Sequence, residues 1–145
     1  MTKTDIIKIY KAFNHFGKEE NMHFEIVSPG EVMYYFEIQE KHLSTPMAAH
    51  GGAIAGFMDA ILGVTGLSYT VEQNNIVSTV EFKINYLKPA FLGDKLVGHG
   101  KLVSTGKRIL YVEASITTHR ENKEILIAKG SGTLNAYPAE KAKLA

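Results

Sequence analysis

The hydrophobic pattern of this chain opens at helical spacing, breaks into alternation, runs nearly unbroken through one stretch and then alternates again. Ile6, Ile9, Tyr10, Phe13 and Phe16 recur at the helical period and predict an amphipathic helix over residues 4–16. Thr4 is its expected cap, Asp5 suits the positive first turn, and Gly17 is its expected end. Its apolar face should lie across the core. Residues 22–28 and 31–39 are rich in β-formers and are separated by Pro29-Gly30, which predicts a hairpin. A polar loop, residues 41–49, follows and is broken by Pro46.

From Ala49 to Leu67 the chain reads AHGGAIAGFMDAILGVTGL, apolar on nearly every side of a helix. A helix of that kind is buried all round. Between Ala53 and Leu67 its one charged residue is Asp59. A carboxylate in such a setting is costly unless it is paired, neutralised or used.

Residues 69–75 read as a loop. In the strand IVSTVEFKINYL, Val80, Phe82, Ile84 and Tyr86 alternate with Glu81, Lys83 and Asn85, predicting one packed face and one polar face. After the turn KPAFLGD come strand-like runs near 95–104, 108–119 and 124–135, with breaks at Thr105-Gly106-Lys107 and Glu121-Asn122-Lys123. Residues 138–145 read as a frayed tail. Short turns between the last strands imply antiparallel neighbours. One sheet wrapped around one buried helix uses all the apolar faces, so the expectation is a single α+β domain over residues 1–145, with its core at about 20–136.

Composition narrows the function classes. The formal net charge is +1, which argues against a nucleic-acid partner. With no cysteine there is no disulfide and no thiolate chemistry, and six histidines without ligand spacing predict no metal. The N-terminal MTKTDIIKIYKAF lacks a signal-like apolar region, and the apolar stretch lacks charged anchors; the expectation is a soluble cytoplasmic protein with no membrane partner.

His50-Gly51-Gly52 followed by Asp59, VEFKINYLKPA at 80–90, Gly93-Asp94, GKRILYVEASI at 106–116 and AKGSGTL at 128–134 come in an order that resembles the hotdog-fold thioesterases. More narrowly they resemble the group like the phenylacetate-pathway thioesterase, related to the 4-hydroxybenzoyl-CoA thioesterases. The resemblance implies a sheet wrapped around the helix, homodimers or homotetramers built as dimers of dimers, no cofactor, and hydrolysis of an acyl-CoA with a medium-chain or aromatic acyl group. It also implies that the glycine after the His lends its N–H to the thioester carbonyl, and that the helix Asp acts as base or nucleophile. A small hydroxyl at the start of the VEFKINY strand helps position water or the acid, and Thr79 occupies that place. Strict alternation puts Ser78 on the face with Val80 and Phe82, so Thr79 reaches that face only through a bulge. Where many relatives carry Asn and Gly, this chain has Ser44 and Met47.

Physical chemistry leads to the same residues. The first turn of a helix has unpaired N–H groups and a positive dipole, and Gly51 and Gly52 let a carbonyl approach it. His50 can orient substrate or cap the helix. Gly51 and Asp59 lie eight residues apart, about 12 Å along a helix, which exceeds the reach of one carbonyl-centred site. Two antiparallel copies across a two-fold axis would join them. Gly52 is a further expected substrate contact, the resemblance implies Ser44 as another, and Lys88, Lys107 and Arg108 are candidates for coenzyme A phosphates. The competing expectation is a non-catalytic hotdog module that binds acyl-CoA or acyl chains.

Overall fold

The computed structural model describes residues 2–142. A six-stranded antiparallel sheet is curled around one long helix, with a short helical segment across the open side. The chain runs through α1 (Lys3–Phe13), α2 (His15–Glu19), β1 (His23–Ser28), β2 (Glu31–Glu37), α3 (Gly51–Thr70), β3 (Asn75–Tyr86), β4 (Lys95–Thr105), β5 (Ile109–Arg120) and β6 (Lys123–Pro138). The strand order is β1-β2-β4-β5-β6-β3, so β1 and β3 are the edges. This is the expected α+β arrangement.

The first helix differs from the expectation at both ends. Thr2, not Thr4, is the cap, because Asp5 stands three residues after Thr2 and the two can bond reciprocally. The helix breaks at Asn14, whose N–H donates to the Tyr10 carbonyl while its Oδ1 accepts from Gly17 N. Gly17 therefore lies inside α2 rather than ending α1. Ile6 is buried against Leu67, Val71 and Ala139, whereas Phe13 and Phe16 are 70% and 53% exposed.

Ile54, Phe57, Met58, Ile61 and Leu62 of α3 are buried in the main core with Tyr34, Phe36, Leu96, Val112, Ile116 and Leu134 from the sheet. Each such side chain contributes roughly 1.5–3 kcal/mol of burial free energy. An 18-residue window of the helical stretch Gly51–Gln73 reaches a mean hydropathy of 1.4, enough by length and composition for a membrane span; here its apolar sides face the sheet. The helix seats closely because β4 is bare where it crosses. A Cβ on Gly98 would lie 2.3 Å from Ile61 Cδ1, and one on Gly100 would lie 1.9 Å from Thr65 Oγ1.

The loop expected at 69–75 is helical as far as Gln73, through α3 and a 3₁₀ turn at Val71–Gln73. Val71 is buried under Ile6, and this tertiary contact extends the helix. Asn74, at φ +56°, then reverses the chain into β3. The expected tail begins with a 3₁₀ turn at Ala139–Ala142 that buries Ala139; its remainder, 143–145, lies outside the described residues. The hairpin forms as expected, with Gly30 at φ +91° in its turn.

Replacing Gly100 by alanine should push α3 off β4 and lower unfolding free energy by about 1–3 kcal/mol. A denaturant midpoint indistinguishable from wild type would contradict the close seat.

Candidate active site

The face of α3 that the sheet leaves open carries Gly56, Asp59, Ala60 and Gly63, which line a 750 Å³ cavity. Tyr10, Phe13 and Phe16 from α1 and α2 form the roof, and Ile76, Val77 and Thr79 from β3 form one side. The exposed aromatic rings of Phe13 and Phe16 are thus walls of this space. Burial pushes the Tyr10 phenol well above its ordinary range, and Tyr34 and Asp59 act in the same direction, so Tyr10 faces the cavity as a neutral hydroxyl.

Asp59 accepts a 2.8 Å hydrogen bond from Thr79 Oγ1. That contact depends on the bulge anticipated as the alternative to strict alternation. Thr79 pairs with Leu134 and Glu81 with Thr133, so Val80 is the extra residue. The bulge turns Val80 outward, to 59% exposure, and brings Thr79 onto the face shared by Phe82, Ile84 and Tyr86. Val80 is therefore not part of the packed face that alternation predicted.

The start of α3 forms a second locus. His50 is the N-cap, and its Nδ1 accepts from Gly52 N at 2.7 Å, which leaves Nε2 to carry the proton of a neutral ring. A Cβ at residue 52 would come within 2.9 Å of that nitrogen, so glycine makes the cap possible. The Gly52 amide is consequently engaged by His50. Among the described residues, by contrast, no acceptor takes the Gly51 N–H. Tyr86 Oη donates to the Gly51 carbonyl at 2.9 Å and holds this first turn against β3. Gly51 and Lys88 border a separate 240 Å³ cavity with Ile54, Tyr86 and Ala90. The Gly51 amide and Asp59 line different cavities of the same chain.

The remaining candidates are scattered. Ser44 is exposed in the loop before α3, where its N–H donates to the Ala48 carbonyl, and it borders neither cavity. Lys107 and Arg108 are exposed in the β4–β5 turn, beside β6 near Asn135 and so toward the C-terminal end of α3.

Two residues not singled out from the sequence position the helix start. His42 is buried; its Nδ1 accepts from Gln39 N at 2.9 Å, so Nε2 donates to Glu20, and its carbonyl accepts the His50 N–H at 2.7 Å. It ties α2 to the loop that delivers α3, and nothing in its spacing marks it. Arg120 donates to Asp94 and to the Pro89 carbonyl, bracing the turn whose Ala90 carbonyl accepts the Ala49 N–H. Burial raises the Asp94 carboxyl, but hydrogen bonds from Arg120 and the Phe91 amide outweigh it and hold the group below the usual carboxylate range.

Comparisons with known proteins bear on the family and the fold. The family model described as Thioesterase superfamily matches residues 48–125. Acyl-coenzyme A thioesterase 13 of Homo sapiens is 28% identical over 106 residues, 73% of this chain and 73% of that protein. A thioesterase family protein from Silicibacter pomeroyi superposes with a TM-score of 0.81 at 24% identity, covering 92% of this chain and 98% of that one. A Streptococcus mutans protein solved with acetyl CoA bound gives 0.68 at 28% identity, covering 82% and 90%. The E. coli PaaI protein of the phenylacetic acid degradation operon gives 0.72 at 15% identity over 94% and 96%, a likeness of fold alone.

Because His50 caps α3 through its side chain, His50→Ala should lower stability by about 1 kcal/mol, whereas His50→Asn keeps an acceptor and most of that stability. Equal melting temperatures for His50→Ala and wild type would remove the capping role.

Proposed function

The chain belongs to the thioesterase superfamily and is a thioester hydrolase, and on that footing we propose that it cleaves acyl-CoA thioesters, with Asp59 as the reacting carboxylate. The observation that carries this reading is the setting of Asp59. It is the one charged side chain of α3, it borders a largely apolar cavity, and a threonine hydroxyl orients it. The acetyl CoA bound to the Streptococcus mutans relative supports coenzyme A as the carrier.

In this reading the thioester carbonyl accepts the free Gly51 N–H at the positive end of α3. As attack converts the carbonyl to an oxyanion, that donor strengthens its bond, an effect worth roughly a hundredfold or more in rate. Asp59 either takes a proton from water or attacks directly, and the Thr79 hydrogen bond holds one carboxylate oxygen so that the other faces the cavity. The coenzyme A thiolate leaves readily, since thiols are far more acidic than alcohols, with a cysteine thiol of pKa about 8.5 as the familiar case.

The same geometry supports a site shared between two protomers. Eight helical residues, about 12 Å, separate Gly51 from Asp59. Strand β3 is an open edge with Val80, Tyr86 and Leu87 exposed, and an edge of that length calls for a partner. Antiparallel pairing of two β3 edges about a two-fold axis would set Gly51 of one protomer beside Asp59 of its partner. It would also bring one protomer's Lys107–Arg108 turn to the end where the other carries Lys88, assembling cations for the coenzyme A phosphates.

Release of free thiol from a panel of acyl-CoAs tests the assignment. Asp59→Asn should lower kcat by about 10²- to 10⁴-fold. Thr79→Val should lower it by roughly tenfold, with Thr79→Ser close to wild type, as expected for one lost hydrogen bond to a charged group. An Asp59→Asn protein within a few-fold of wild type would overturn the role.

A further inference from the structure

The cavity beside Asp59 is bordered along α3 by Gly56, Asp59, Ala60, Gly63 and Leu67. Phe16 bounds it at the Gly56 end: the ring lies against α3 there, where a Cβ would stand 2.9 Å from Phe16 Cζ. On the far side of Phe16 is a separate 290 Å³ space bordered by His50, Gly52 and Lys41. A group entering beside Asp59 must therefore extend away from Gly56, along the positions that recur on the same helix face, Ala60, Gly63 and Leu67. Tyr10 and Phe13 cover this channel, and Leu67, Ile76 and Val77 give its far end an apolar lining.

The α3 lining sets the length scale. Leu67 is eight residues beyond Asp59, about 12 Å along the helix axis. An extended hydrocarbon advances roughly 1.3 Å for each C–C bond of about 1.5 Å, so the channel holds about eight to ten carbons. A benzoyl or phenylacetyl ring would fill the half next to Asp59 and leave the half beyond Gly63 empty. Midway stands Gly63, whose added Cβ would meet no protein atom within 4 Å. A side chain there would enter the cavity alone.

Resting on the thioesterase reading above, we propose that the acyl group is an unbranched chain of about eight to ten carbons lying along α3, and that Gly63 sets its length. The helix tolerates the test substitution, since leucine is the better helix former and its Cβ meets no neighbour.

The experiment compares kcat/KM for acetyl-, butyryl-, hexanoyl-, octanoyl-, decanoyl-, palmitoyl- and phenylacetyl-CoA between the full-length wild type and Gly63→Leu, with Gly63→Ala as an intermediate. Wild type should peak at octanoyl- or decanoyl-CoA. Gly63→Leu should lose about tenfold or more on those two relative to butyryl- and hexanoyl-CoA, the scale set by a methylene's fit in an apolar pocket, so that the optimum moves to shorter chains. An unchanged chain-length profile in Gly63→Leu, or a wild-type preference for the aryl substrate, overturns the proposal while leaving the thioesterase reading intact. No hydrolysis of any substrate by wild type overturns both.

Discussion

Gly98 and Gly100 present bare backbone to α3, and the close seat this allows governs the rest of the molecule. With Ile61 and Thr65 pressed onto β4, the apolar sides of α3 are taken up by the sheet. What remains outside is a strip carrying Gly56, Asp59, Ala60 and Gly63. The same packing that stabilises the helix thus decides which of its residues border the cavity. The carboxylate is tolerated in an apolar helix because it falls on this strip, where Thr79 donates to it.

The sheet supplies the second constraint. The extra residue Val80 shifts the inward-facing set of β3 by one position, so that Thr79 and Tyr86 both turn toward α3. Thr79 then reaches Asp59, and Tyr86 reaches the Gly51 carbonyl. One irregularity in one edge strand serves two places on the helix.

Much of this was readable from the residues. Periodicity located every strand and the buried helix, because those elements are long and their burial is one-sided or complete. His50-Gly51-Gly52 and Asp59 stood out because glycine and a lone carboxylate are anomalous in an apolar helix. What escaped was set by tertiary contact. Val71 extends α3 because Ile6 covers it. Phe13 and Phe16 matched a core-facing pattern, yet they roof a cavity, since periodicity defines a face and not what the face meets. His42 gave no local signal; its importance lies in partners about twenty residues away in one direction and a backbone bond to His50 in the other. Ser44, Lys107 and Arg108 rested on family position or turn placement, and the single chain does not gather them at Asp59.

Under the proposed function an active site needs Gly51 from one protomer and Asp59 from the other, and subunit complementation separates this arrangement from a site within one chain. Gly51 is the first helical position and His50 before it is extended at φ −62°, ψ 137°, so Gly51→Pro removes the N–H in a backbone that accepts proline. Gly51→Pro and Asp59→Asn chains, each inactive alone, would be co-expressed with different tags and the heterodimer purified. A shared two-fold site leaves one of the two sites intact and predicts about half of wild-type activity. A verified heterodimer as inactive as its parents would contradict it.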